Sequence, residues 1–301
     1  MRVLSYGATG AQGHPVAQQL LERGHDVHVI VRHPEKAAGL AASGARVFTG
    51  DLNDASSLEA AHEGVEAVFL MLPFGSGGNP LSQAAAAFEA AKRAGVQKIV
   101  LNTSGQTPRE PTGLPMMDYR IALEGMLRET GIPANIVRPT AYMENFLGPW
   151  TLPGVVQKNE VAYPVAINRP TSWISAQDVA RFVVAALEHT NLAGRAFDVG
   201  GPEALTGDRI ALSFSAALGK TISYRAISPD EFAEMVGAVI GPEAAEGIRV
   251  AYRAGEAAPL EAMKIDMEPV LAEVPVRLTT LEEFVRMHAA AFNGKPLEVN
   301  A

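Results

Sequence analysis

The sequence contains no cysteine, and this absence removes several kinds of chemistry from consideration. Disulfide bonds, thiolate metal sites and cysteine nucleophiles are all excluded. Histidine is present but is not arranged as a metal site, because His25 and His28 straddle a predicted turn and strand instead of sharing one helix face. We therefore expect a protein without a metal centre.

Positive charge is in the minority, with 25 lysines and arginines against 33 aspartates and glutamates and a formal net charge of −8. This balance disfavours direct binding of nucleic acid, which depends on basic surfaces, although contact with a protein that itself binds DNA stays open. No apolar run approaches the length of a membrane span, and the N-terminus does not resemble a signal peptide. The expected localisation is cytoplasmic, without membrane attachment.

The most informative stretch is a glycine-rich segment at residues 7–13, which follows a short apolar run and precedes a helical pattern. Glycines permit positive φ and let the backbone approach a diphosphate, and free amides at the helix start point at the anion. An ordinary strand-to-helix turn is the alternative, but a second strand at residues 27–31 completes a βαβ unit. The pattern predicts that a dinucleotide contacts Gly7, Thr9, Gly10, Ala11, Gln12 and Gly13.

Apolar strands alternate with longer alanine-rich helical stretches over the first half of the chain. This pattern predicts a doubly wound parallel Rossmann sheet, an α/β fold, with a smaller and mostly helical C-terminal cap domain. The predicted domains are residues 1–140 with about 175–201, which bind NAD(P), and about 141–174 with 202–301, which form the cap. The predicted strands are 2–6, 27–31, 46–48, 67–72, 98–102, 135–138 and 195–199, and the predicted helices are 12–23, 35–42, 56–62, 81–93, 116–129 and 175–189.

Ligands of such sheets bind beyond the carboxyl ends of the strands, so the residues there are candidates for coenzyme contacts. The second strand is followed by Arg32 and Lys36 and not by an acid, which favours NADP(H) over NAD(H), although NAD(H) is possible. Asp51 could accept a hydrogen bond from adenine or cap the next helix. The remaining predicted coenzyme contacts at strand ends are Leu52, Leu72, Pro73, Phe74 and Thr103, with Pro139 after the sixth strand.

Hydroxyl and aromatic side chains follow the fifth and sixth strands. Ser104 and Tyr142 are candidate catalytic residues, and the hydroxyl of Ser104 could orient a substrate carbonyl or the nicotinamide. Several of the aromatic residues would suit a flat apolar ring, although core packing is an alternative for each of them. The predicted substrate contacts are Phe74, Tyr142, Asn145, Phe146, Trp150 and Trp173.

Together these residues resemble the short-chain dehydrogenase/reductase superfamily, in its atypical, extended NmrA-like branch. The resemblance covers most of the chain and rests on residues 7–13, 50–52, 138–139 with 144–146, 172–178 and 279–284. It implies a Rossmann fold that binds NADP. It also implies one of two activities, because the branch contains NAD(P)H-dependent reductases, quinone reductases among them, and non-catalytic redox sensors that regulate partners.

The resemblance also implies a Tyr-x-x-x-Lys pair, and this chain departs from that pattern. Tyr119 is the candidate tyrosine, but the fourth residue after it is Leu123. Many relatives instead carry a lysine directly after that tyrosine, where this chain has Arg120. Arginine can hold a ribose or a phosphate but cannot share protons, so we expect Arg120 to bind the coenzyme or to pair with Glu124 on the surface. Tyr119 stays a candidate catalytic residue.

Three functions are compatible with these features. An NADPH-dependent reductase of a quinone or a similar small apolar carbonyl acceptor needs little acid catalysis, because water can protonate a hydroquinone anion. A non-catalytic sensor of NADP(H) would act through a protein partner. A nucleotide-sugar epimerase is disfavoured, because sugar oxidation needs a positioned base. We expect the reductase, and the sequence leaves a protein partner or a homodimer open.

Overall fold

A computed structural model describes residues 1–72 and 77–296, apart from the side chain of Glu243. The predicted contacts of Pro73 and Phe74 lie outside these described residues. Strands and helices alternate over the first half of the chain, as the hydrophobic pattern predicts. The strands are β1 (Arg2–Tyr6), β2 (Asp26–Val31), β3 (Arg46–Thr49), β4 (Ala67–Met71), β5 (Lys98–Asn102), β6 (Ala134–Pro139), β7 (Glu160–Tyr163), β8 (Ala196–Val199) and β9 (Ser223–Ala226).

Seven strands form one sheet in the order β3-β2-β1-β4-β5-β6-β8, and every neighbouring pair is parallel. The chain runs outward from β1 to β2 and β3, and then crosses to β4 on the other side of β1. Ligands of such sheets bind where the strand order reverses, beyond the carboxyl ends of the strands. The predicted doubly wound parallel sheet is confirmed, and the loop after β1 lies at its switch point.

Helices cover both faces of this sheet, because alternate residues of each strand point to opposite sides. Val3 shares a buried core with α1, α2 and α7, and Leu4 shares the opposite core with α3, α4 and α5. The helices are α1 (His14–Glu22), α2 (Ala38–Ala42), α3 (Glu59–His62), α4 (Pro80–Arg93), α5 (Pro115–Glu129), α6 (Leu152–Lys158), α7 (Ala176–Glu188), α8 (Gly207–Leu218), α9 (Pro229–Ile240), α10 (Pro242–Ala257), α11 (Glu268–Glu273), α12 (Leu281–Met287) and α13 (Ala289–Phe292).

Two of the predicted helices are divided in the structure. The predicted helix at 35–42 is a 3-10 turn at Pro34–Ala37 followed by α2, and the one at 56–62 is a 3-10 turn at Ala55–Leu58 followed by α3. The predicted helix at 12–23 begins only at His14, because the glycine segment before it is a loop. Within residues 1–72 and 77–296, no helix combines the length and the apolar character that crossing a membrane requires.

A third buried core lies in the region predicted as the cap. It contains a small parallel sheet of β7 and β9, which the prediction of a mostly helical cap does not include. Both strands have only four residues and lie far apart in the chain, so no hairpin turn marks them. This core is rich in aromatic side chains, among them Phe146, Tyr163, Trp173, Phe214, Phe232, Phe284 and Phe292.

The predicted domain boundaries stay a prediction. One observation bears on them, since Met267 and Val274, on either side of α11, pack into the core beneath the sheet and not into the cap core. The C-terminal part of the chain therefore contributes to both regions.

Candidate functional site

The glycine loop after β1 has a conformation that only glycine fits. Gly7 has φ +69°, and its carbonyl oxygen accepts a hydrogen bond from the Gly10 amide at 3.0 Å. A Cβ atom at Gly13 would lie 2.2 Å from that same carbonyl oxygen, and one at Gly7 would lie 2.7 Å from Cε of Met71 in β4. The loop therefore packs tightly on the sheet, and side chains at these positions would push it away.

The amide groups of this loop are available to a ligand. The chain enters α1 with Pro15 in its first turn, and the His14 amide donates to Gly10 at 2.9 Å. Among the described residues, the amides of Ala11, Gln12 and Gly13 have no hydrogen-bond acceptor. The loop carries no side-chain cap for the helix either. Unpaired amides at the start of a helix form a binding place for a phosphate group.

Basic side chains follow the neighbouring strand β2. Arg32 and Lys36 are both exposed, and they lie at the same edge of the sheet as the glycine loop. His33 and Glu35 are also exposed, with 3.5 Å between Nδ1 and Oε1. The two cations are therefore accessible where a Rossmann fold receives the adenosine half of its coenzyme.

Asp51 and Leu52 follow β3 at the same edge. Oδ1 of Asp51 accepts hydrogen bonds from the backbone amide and the side-chain amide of Asn53, at 2.8 and 3.0 Å. The cap of the next helical turn is Asp54, which accepts from the amide of Ser56 at 3.1 Å. Of the two roles left open for Asp51, the helix cap is thus wrong. Contact of Asp51 with adenine stays a prediction.

Leu52 and Leu72 are partly buried and pack against the same core cluster of the sheet. They lie beyond β3 and β4 respectively, and coenzyme contact by either of them stays a prediction.

A continuous chain of hydrogen bonds crosses the sheet edge beyond β5. Nε2 of Gln12 donates to Oγ of Ser104 at 2.7 Å, and the Ser104 amide donates to Oδ1 of Asn102 at 2.8 Å. Nδ2 of Asn102 in turn donates to the hydroxyl oxygen of Tyr142 at 3.0 Å. These contacts join the glycine loop, the end of β5 and the segment that leads into the cap. The sequence-based prediction named three of these residues but not Asn102, whose role depends on the fold.

Tyr142 is a buried phenol at the inner end of this chain. Only 6% of it is exposed, and burial raises its pKa well above the usual range. A phenol with so high a pKa stays protonated at neutral pH, so Tyr142 cannot serve as a general base there. Its predicted contact with substrate and its predicted catalytic role stay predictions.

Arg120 belongs to α5, but its side chain reaches the end of β5 and does not extend along the helix surface. Its Nε donates to the Thr103 carbonyl at 3.1 Å and its Nη1 to the Met116 carbonyl at 3.3 Å. Its guanidinium also lies over the ring of Tyr119, 4.9 Å from the ring centre. Thr103 uses its hydroxyl within the fold, donating to the Gly105 carbonyl at 2.6 Å. Arg120 and Tyr119 therefore form a stacked pair beside Ser104, which was not predicted.

The alternative of a surface pair between Arg120 and Glu124 is wrong. Glu124 is buried, and its carboxylate accepts two hydrogen bonds from Arg138, both at 2.6 Å, and one from Arg128 at 2.8 Å. Burial by itself would raise the pKa of Glu124, but these hydrogen bonds hold it below the usual value. Helical spacing alone indicated Arg120 as the partner, and only the fold brings β6 and its Arg138 against α5.

Two of the predicted substrate contacts lie in the aromatic core of the cap. Phe146 and Trp173 are 0% and 1% exposed, with their ring centres 4.4 Å apart, and Phe146 also meets Phe214 at 5.4 Å. Because neither ring has a face open to solvent, the structure favours packing within the cap core for both, and their contact with substrate stays a prediction. Asn145 and Trp150 are partly buried, and their contact with substrate stays a prediction.

Sequence reasoning assigned no chemical role to Glu144. Its Oε1 accepts from the amide of Ala176 at the start of α7, at 2.9 Å, and its Oε2 is buried without a partner among the described residues. Burial, with a smaller effect from the charge of Asp178, raises the pKa of Glu144 to about 7. Only the tertiary structure reveals this group, because nothing in the local sequence indicates that the carboxyl is buried.

Tyr252 on α10 was also missed. Its hydroxyl lies 2.7 Å from that of the buried Tyr163, and its ring packs against Phe232 with 5.2 Å between the ring centres. Desolvation by burial raises the pKa of Tyr252 to about 12. No local pattern links residues so far apart in the chain, so only the fold brings this tyrosine pair together.

The similarity of this chain to known proteins extends along most of its length. A model of the NmrA-like family matches residues 1–285, and the chain belongs to that family. It is 31% identical over 294 residues to an NAD(P)H azoreductase of Xenophilus azovorans, covering 97% of this chain and 99% of that protein.

Two solved structures are also similar. The NADPH-dependent quinone oxidoreductase QOR2 of Escherichia coli, complexed with NADPH, has a TM-score of 0.75 at 25% identity, covering 96% of this chain and 100% of that one. The triphenylmethane reductase of a Citrobacter species has a TM-score of 0.78 at 25% identity, covering 95% and 99% of the two chains.

Proposed function

We propose that this member of the NmrA-like family is an NADPH-dependent oxidoreductase that transfers a hydride to a small, flat, apolar acceptor such as a quinone. The observation that carries the proposal is the glycine loop, whose amides of Ala11, Gln12 and Gly13 have no acceptor among the described residues. An anion at this place is the ligand that the fold is built to receive. The azoreductase and quinone oxidoreductase relatives support a reductase.

The preference for NADPH rests on the residues after β2. Arg32 and Lys36 are exposed beside the glycine loop, and a guanidinium can donate two hydrogen bonds at once to a phosphate group. A carboxylate at the end of β2 would instead favour the ribose hydroxyls of NADH. We therefore assign the 2′-phosphate of the coenzyme to this pair of cations.

The reaction fits a site that lacks a tyrosine–lysine pair. When bound, NADPH would supply a hydride, that is one proton with two electrons, which converts a quinone to a hydroquinone monoanion and leaves NADP⁺. One proton from water then completes the hydroquinone. The protein must bring the two rings together and exclude side reactions, but it does not need to hold a strong general acid.

Arg120 takes the place of the missing lysine as a binding residue. Its guanidinium is anchored on the Thr103 carbonyl beside Ser104, so it presents positive charge at the end of β5. Because arginine stays charged, it can hold a ribose or phosphate oxygen but cannot pass a proton to Tyr119. This arrangement favours acceptors that need orientation more than acid catalysis.

The test is NADPH oxidation by the purified chain with a panel of quinones and azo dyes. We expect turnover well above the rate without protein for at least one class of acceptor, together with saturable binding of NADPH. Tight NADPH binding without turnover across the panel would instead favour the sensor that acts through a protein partner. Absence of binding to any pyridine coenzyme would remove the proposal altogether.

A further inference from the structure

Gln12 has a polar atom that the fold leaves without a partner. Its Nε2 donates to Ser104 Oγ at 2.7 Å, but its Oε1 is buried and meets no hydrogen-bond donor among the described residues. Leaving a buried amide oxygen without a hydrogen-bond donor costs free energy, so an unpaired oxygen in a folded protein calls for an explanation such as a donor on a bound ligand. Since Gln12 belongs to the glycine loop, the missing donor is expected on the molecule that the loop binds.

Ser104 supplies the opposite half of a hydrogen-bonding pair. Its oxygen accepts from Gln12, and its own hydroxyl hydrogen has no acceptor within the described part of the chain. The residue has φ +56°, which is uncommon outside glycine, and Oδ1 of Asn102 holds its amide at 2.8 Å. Asn102 is fixed in turn by Tyr142. The hydroxyl is therefore held at the sheet edge by a strained and supported backbone.

We propose that Gln12 and Ser104 together bind the carboxamide of the nicotinamide ring. Gln12 Oε1 accepts from its NH₂ group, and the Ser104 hydroxyl donates to its carbonyl oxygen. The inference rests on the proposed function and specifies which end of the coenzyme this pair contacts. A primary carboxamide presents one donor and one acceptor side by side, and the pair presents one acceptor and one donor joined by a hydrogen bond.

The position of the pair in the sheet agrees with this assignment. Arg32 follows β2, the glycine loop follows β1, and Ser104 follows β5, with β4 between β1 and β5. Three strand spacings, roughly 14 Å, therefore separate the cations from Ser104. A dinucleotide with its 2′-phosphate at Arg32 and its diphosphate on the loop directs its nicotinamide toward β5. A fixed carboxamide then determines which face of the ring meets the acceptor.

The test compares two coenzymes that differ only at the carboxamide. The 3-acetylpyridine analogue of NADP⁺ keeps the carbonyl oxygen and replaces the NH₂ group by methyl. Calorimetry of the full chain should show that the wild type binds NADP⁺ about five- to tenfold more tightly than the analogue, the usual effect of one neutral hydrogen bond. Gln12→Leu should abolish most of that preference. Ser104→Ala should weaken both coenzymes, because both retain the carbonyl oxygen.

A third ligand and a second variant separate this role from a structural one. The ligand 2′-phospho-ADP-ribose lacks the ring, so Gln12→Leu should bind it as the wild type does. Gln18→Leu replaces a glutamine on α1, outside the loop, and should keep the full preference for NADP⁺. The inference is overturned if the wild type binds NADP⁺ and its analogue equally, or if Gln12→Leu weakens all three ligands alike. Failure of the wild type to bind any of the three ligands would instead refute the proposed function itself.

Discussion

The glycine loop and the cap core are constructed in opposite ways. In the loop the backbone determines the site, and several amides together with the Gln12 side-chain oxygen lack partners in the described residues. In the cap, aromatic side chains such as Phe146 and Trp173 are closed against one another and leave no open face. Aromatic composition alone therefore does not indicate a pocket, whereas unpaired polar groups on a tightly packed glycine loop do indicate a ligand.

The largest expected effect tests whether the aromatic rings of the cap core serve packing. Phe146→Ala removes a fully buried ring and should lower the free energy of unfolding by about 3–5 kcal/mol, as measured by denaturant titration. Leu212→Ala, at a position that is 58% exposed, is the matched control and should change stability by less than about 0.5 kcal/mol. Unchanged stability of Phe146→Ala, together with weakened acceptor binding, would show that the ring lines a pocket after all.

The next effect tests whether the conformation of the glycine loop is needed for binding of the coenzyme. A methyl group at Gly13 would lie 2.2 Å from the Gly7 carbonyl oxygen, so Gly13→Ala must displace the loop. We expect roughly 100-fold weaker NADPH binding by calorimetry, equivalent to about 2.7 kcal/mol. Gly125→Ala is the control, because that glycine lies inside α5 with open space around it, and the change should leave binding intact. Equal affinities of the two variants for NADPH would show that the loop is not part of the binding site.

The third effect sharpens the assignment of the coenzyme. Arg32→Ala removes a cation from the proposed 2′-phosphate site and should weaken NADPH about 10- to 30-fold, within the range for a hydrogen bond to a charged group. NADH has no 2′-phosphate and should bind with nearly unchanged affinity. Arg93→Ala, which removes an exposed arginine of α4 that pairs with Glu59, serves as the control. The same loss for NADH as for NADPH would contradict the assignment.

The smallest effect concerns the carboxyl of Glu144, which accepts a hydrogen bond from the amide at the start of α7. Its pKa of about 7 lies above the usual value of 4.5, so between these limits the folded protein holds a proton that the unfolded chain has lost. The free energy of unfolding should therefore fall as the pH rises through this window. Glu144→Gln removes the dependence and should be about 1–2 kcal/mol more stable than the wild type at pH 8, with little difference at pH 5.

The measurement for Glu144→Gln is thermal or denaturant unfolding at both pH values. Glu129→Gln, at an exposed position at the end of α5, controls for the loss of one negative charge. A stability difference between Glu144→Gln and the wild type that is the same at pH 5 and pH 8 would show that the carboxyl does not titrate in this range.

Much of the nucleotide-binding half could be predicted because its signals are local. The glycine segment, the alternating strands and the alanine-rich helices each occupy a short window of sequence, and the predicted parallel sheet is confirmed. The predicted helix boundaries were less accurate where a capping residue such as Asp54 precedes a 3-10 turn that leads into the helix. A turn of this kind differs from an α-helix by one hydrogen-bond register, which hydrophobic periodicity does not detect.

The candidate site was only partly predictable, because its contacts join residues that are far apart in the chain. Gln12 and Ser104 were named separately, but their contact joins residues 92 positions apart. The partner of Glu124 was predicted from helical spacing and is instead Arg138 on β6. Short-range spacing describes one element at a time, and it cannot show which strand packs against which helix.

The sequence by itself determined where the backbone turns tightly after β1, because glycine is the only residue without a Cβ, and it determined the order of strands and helices through the hydrophobic period. The tertiary structure alone decided which side chains are buried, which polar atoms lack partners, and which carboxyl has a raised pKa. These properties depend on distances between segments far apart in the chain, and such distances exist only after the sheet and the cap have packed.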